Sequence, residues 1–85
     1  MFLHLGQPAV VFQEDLVGIF DLDNATWAYK TREFLERAER EGRVETVGED
    51  LPRSFVLCSG PEGEKIYLTQ VSSTVLKGRA EEKGL

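Results

Sequence analysis

Much that would announce a function is scarce in this chain. A single cysteine, Cys58, in 85 residues excludes an internal disulfide framework and a zinc site built on paired thiolates. The one histidine, His4, has no carboxylate close to it in sequence, so no histidine-based triad announces itself. Three prolines and eight glycines are too few for a low-complexity linker. No apolar run approaches the roughly 20 residues that a bilayer demands. The opening Met1-Phe2-Leu3-His4-Leu5 is broken by Gly6 and Pro8 and lacks the basic flank of a signal peptide. Basic residues are also in deficit: 10 Lys and Arg against 15 Asp and Glu leave a net charge of -5, which disfavours a general polyanion binder. A reduced thiol and no targeting segment place the chain in the cytoplasm, with no membrane contact and no cofactor.

What is present describes one small soluble domain, 41% apolar and 29% charged, expected over residues 1–79 with a flexible tail at 80–85. Short apolar runs at residues 2–5 and 9–12 flank Gly6-Gln7-Pro8 and predict a hairpin. Residues 16–20 form a third run, with Gly18 inside it to mark a bulge or the close approach of another backbone. A helix is predicted over residues 25–41, where Trp27, Thr31, Phe34, Leu35 and Ala38 share one stripe. Asn24 or Thr26 can cap its start, and Gly42 supplies a left-handed stop. Glu33/Arg37, Glu36/Arg40 and Glu39/Arg43 are spaced as four-residue ion pairs along its outer side.

After Gly42 the period returns to two. Val44 and Val47 belong to a short strand, and Gly48-Glu49-Asp50-Leu51-Pro52 is a polar connection. The run Phe55-Val56-Leu57-Cys58 is apolar on successive residues, so both faces of its strand need cover. Gly60-Pro61-Glu62-Gly63 reverses the chain into a strand over residues 65–70, and Ser72 or Ser73 caps a last helix through Lys77. The expected class is α+β: a small, antiparallel-rich sheet of about six short strands with one long helix and a short C-terminal helix.

No coherent catalytic set emerges, and the chain reads as a non-enzyme. Cys58 sits in the most apolar strand as a small hydrophobe, and Asp21 and Asp23 suit a turn and lack the spacing of a cation loop. The candidate nucleic-acid contacts are Arg53, at the entrance to a strand, and Arg37 and Arg40 on the helix, where a solvated ion-paired face competes as an explanation. Lys77 and Arg79 fit the last turn of a helix. A strand apolar on both sides, together with Trp27 and Phe34, is much to cover with one long helix, and a homo-oligomer would supply the cover.

Phe2-Leu3-His4-Leu5-Gly6, Thr31-Arg32-Glu33-Phe34-Leu35, Glu39-Arg40-Glu41-Gly42-Arg43 and Leu51-Pro52-Arg53-Ser54-Phe55-Val56 occur in an order and spacing that resemble the Rem family of bacterial extracellular-matrix regulators, its B-type branch in particular. The resemblance runs from Met1 to about Lys77. It implies a transcription-related role in biofilm-matrix expression. A-type members of the family bind DNA as rings, through arginines on a positive surface, so the resemblance also implies a ring-like oligomer and contact with DNA or with other regulators. The present chain has Asp15 where the A-type pattern has an arginine, and Asp50-Leu51 in place of a double arginine, leaving Arg53. These carboxylates argue against wrapping DNA in the A-type manner.

Overall fold

The computed structural model describes residues 2–6, 9–22 and 28–83. Its elements run β1 (Phe2–Gly6), β2 (Ala9–Phe12), a 3₁₀ turn (Gln13–Asp15), β3 (Leu16–Asp21), α1 (Ala28–Arg40), β4 (Val44–Val47), β5 (Ser54–Gly60), β6 (Gly63–Thr69) and α2 (Ser73–Lys83). This is the expected α+β class with six strands, and three features depart from expectation.

First, the strands form two sheets. β1 and β2 pair only with each other, while the second sheet has the order β3-β5-β6-β4. The larger sheet is antiparallel except for β4, which runs parallel to β6. That crossover begins where the Ile66 amide donates to the Arg43 carbonyl at 2.8 Å.

Second, no single helix dominates, since α1 has 13 residues and α2 has 11. Third, α2 passes Lys77, where the last helix was expected to end, and continues to Lys83. Ala80 packs against the Leu3/Leu5 core and its carbonyl accepts a hydrogen bond from Gln13 Nε2 at 2.7 Å. Those tertiary contacts give the last turns something to hold.

The two-faced β5 is covered on both sides by its own chain. Val56 and Cys58 pack with Leu3, Leu5 and Val11 of the hairpin and Leu76 of α2. Phe55 packs on the opposite face with Ile66 and with Ala38 of α1, joined by Phe34, Leu35 and Leu57. The pleat that sends alternate residues to opposite faces therefore places a different element on each. Part of the cover assigned to self-association is supplied internally.

Local signals behave as their chemistry dictates. Gly42 has φ +73°; the Arg43 amide donates to Ala38 and the Gly42 amide to Glu39, at 2.9 and 3.0 Å, closing α1 in a Schellman motif. At β3 the register slips between Leu16 and Gly18, so a bulge leaves Val17 outward and exposed. A Cβ at Gly18 would sit 2.7 Å from the Phe20 ring, which stacks on Phe55 at 4.8 Å. Ser72 Oγ accepts from the Val75 amide at 3.3 Å and caps α2. The caps proposed at Asn24 and Thr26, and the stripe residue Trp27, lie outside the described residues.

Candidate nucleic-acid interface

Arg53 stands at one rim of the larger sheet. Its amide donates to the Thr69 carbonyl at 2.8 Å and its carbonyl accepts from the Leu22 amide at 3.0 Å, so the backbone is held from both sides. The next residue, Ser54, is fully buried and donates from Oγ to the Val71 carbonyl. Thr69, also fully buried, donates to the Leu5 carbonyl and accepts from the Val71 amide at 3.1 Å. A rigid polar node thus carries an exposed guanidinium at its edge.

The surroundings of that guanidinium are acidic. Antiparallel register sets Asp21 opposite Ser54, and Glu49 and Asp50 occupy the loop leading to Arg53, all three exposed. Three exposed carboxylates therefore neighbour Arg53, one through strand pairing and two along the chain. By its local sequence Asp21 is a turn residue alone. Its place beside Arg53 depends on strand pairing, and no local signal could have revealed it.

Arg37 and Arg40 belong to α1. They occupy the exposed side of the last turns of α1, where positive charge complements the helix C-terminus. Arg43, three residues on, enters the sheet opposite Ile66, whose antiparallel partner is Leu57. Four residues of β5, roughly 13 Å of strand, separate that level from Arg53.

The expected Glu39/Arg43 pair is not formed, because α1 stops at Arg40 and Gly42 turns the chain away. Arg43 instead bonds Glu41 at 2.5 Å and Glu64 at 3.1 Å, and its pKa is raised, chiefly by the Glu41 contact.

Asp15 is at the opposite end of β5. A Cβ on Gly60 would lie 3.3 Å from its Oδ2, and the seven residues of β5 span roughly 20 Å. Asp15 and Asp50, the two acidic departures from the A-type pattern, face different ends of the molecule. Cys58 is buried; burial and then the Asp15 charge push its thiol up to about 11, well away from a reactive thiolate. His4 is exposed on β1. Among the described residues, no three His, Cys, Asp or Glu side chains gather as a metal-ligand set, and no helix is long and apolar enough to cross a membrane.

Fold and site together define a small two-sheet α+β protein whose outward features are a rigidly held arginine in acidic company and exposed apolar strands. No family model matches the chain. It is similar to extracellular matrix regulatory protein B of Bacillus subtilis (strain 168), 35% identical over 81 residues, which are 95% of this chain and 91% of the relative. Identity of that degree over nearly the whole of both chains places this one in the Rem family of extracellular-matrix regulators.

Proposed function

We propose that the chain is a non-enzymatic regulatory protein of matrix-gene control, that it assembles with copies of itself, and that it acts by contact with other regulatory proteins without wrapping DNA. The observation that carries this reading is the composition of the Arg53 rim. Asp21, Glu49 and Asp50 around Arg53 would each meet a phosphate with repulsion, and every subunit of an assembly would repeat the penalty.

A second reading is favoured by the two backbone hydrogen bonds that fix Arg53: weak, backbone-directed contact with DNA through Arg53, assisted by Arg37 and Arg40. A titration with duplex DNA separates the two. Protein contact alone predicts no saturable binding even at about 50 mM salt. Phosphate binding predicts an affinity that falls steeply as salt rises toward ~200 mM, with Arg53→Ala lowering the salt slope by about one. Binding of that kind would overturn the first reading.

A further inference from the structure

Among the described residues, Leu51 is the most exposed large apolar side chain, at 87%. Phe2 and Phe12 lie against each other and Phe20 stacks on Phe55, whereas Leu51 belongs to neither apolar cluster of the described residues. A single leucine in water is ordinary by itself. Its setting is what distinguishes this one.

Leu51 stands on the connection that joins β4 to β5, residues 48–53, and that connection is held at both ends. On the β4 side Val47 is buried and Gly48 turns at φ +86°, where a Cβ would lie 3.3 Å from Gln70 Oε1. On the β5 side Pro52 fixes its own φ and keeps Leu51 extended, and the Arg53 backbone is bonded to Thr69 and Leu22 at 2.8 and 3.0 Å. A short segment fixed at both ends has little freedom left to lose when its tip is grasped.

We propose that residues 48–53 are a docking tip for a different, basic regulatory protein: Leu51 enters an apolar pocket of that partner, and Glu49 and Asp50 meet Lys or Arg at the rim of the pocket. This assignment rests on the reading of the chain as a regulator that works by protein contact, and it names the segment that makes the contact.

Charge selects the partner. Glu49 and Asp50 directly precede Leu51 and are exposed, and they outnumber Arg53 within the segment. A duplex would bring phosphates against those carboxylates, and a second copy of this chain would bring the same charge of -5. A protein pocket that is apolar within and basic at its rim suits both the leucine and the acids. Burying one leucine side chain is worth roughly ten- to hundredfold in affinity, while the rim charges quicken encounter and reject wrong partners.

The test replaces the chromosomal copy in the host of origin with Leu51→Ser, Leu51→Met, Asp50→Lys or Val75→Ser and reads a matrix-gene reporter at matched protein level. Val75 is an exposed apolar residue of α2 and serves as the control. Circular dichroism, sedimentation velocity and duplex-DNA titration of the purified variants follow fold, assembly and DNA contact. Leu51→Ser and Asp50→Lys are expected to lower reporter output about fivefold or more, with fold and assembly unchanged. Leu51→Met should keep most of the output and Val75→Ser all of it. Should Leu51→Ser fail to fold, Asp50→Lys decides. Unchanged output in Leu51→Ser overturns the docking tip and leaves the protein-contact reading standing, and so does a loss of assembly in that variant. Output that rises in Asp50→Lys places a polyanion at the segment and overturns the tip. Duplex binding by wild type that falls together with output in Leu51→Ser removes both the tip and the protein-contact reading, as does a gene deletion that leaves the reporter unchanged.

Discussion

Cys58 shows what burial does to one reactive group. With its thiol raised to about 11 from an ordinary value of 9.0, by burial first and by Asp15 second, the folded chain holds the proton over a range in which the unfolded chain releases it. The raised pKa makes the sign definite: stability from the neutral thiol is full below about pH 9 and is lost as pH climbs toward 11. The urea midpoint is therefore expected to fall more steeply across that window in wild type than in Cys58→Ala. Alkylation at pH 8.5 should run at least ~tenfold faster in the urea-unfolded chain than in the folded one. Equal rates would show that the thiol is open in the native state. Arg53 is the contrasting residue, exposed in side chain and held in backbone, and its company of Asp21, Glu49 and Asp50 decides what it can attract.

The elements are joined by few bonds at high leverage. Thr69 belongs to β6, yet its hydroxyl donates to Leu5 of β1 and accepts from Val71 before α2. One buried side chain thus ties the hairpin, the sheet and the second helix together. Thr69→Val keeps the shape and leaves the Leu5 carbonyl and the Val71 amide without that partner, a loss of about 1–3 kcal/mol in unfolding free energy by urea titration. Fast hydrogen exchange confined to β1 and β2 should accompany it, and a variant as stable as wild type would show that the node is dispensable. Gly6, at φ +122°, brings the end of β1 to this node; a Cβ there would lie 3.5 Å from Val47 and 3.7 Å from Thr69 Oγ1.

For the whole molecule, net charge and apolar exposure pull in opposite directions. Copies carrying -5 repel one another, while the exposed phenylalanines of the hairpin favour contact. Salt screens the first and leaves the second, so self-association should tighten several-fold between about 50 and 500 mM NaCl by sedimentation. DNA binding through phosphates would weaken over the same range. Assembly that dissolves as salt rises would mean that complementary charges hold it.

The local pattern of residues was sufficient for the class of the protein. Alternation and helical stripes lie within a few residues of one another, so the hairpin, the Gly42 stop, the Gly18 bulge and the need to cover both faces of β5 are legible in the residues alone. The absence of an evident catalytic set in the sequence and the family resemblance are legible there too. Pairing is not, because register depends on partners tens of residues apart. Only tertiary structure set β4 parallel to β6, split the strands into two sheets and extended α2 past Lys77 by giving Ala80 a core to touch. It also moved Asp15 to the far end of β5 and brought Asp21 beside Arg53. The sequence by itself determined a small, acidic α+β regulator; the fold decided which carboxylate is paired across from the residue beside its arginine, because strand register joins residues tens of positions apart.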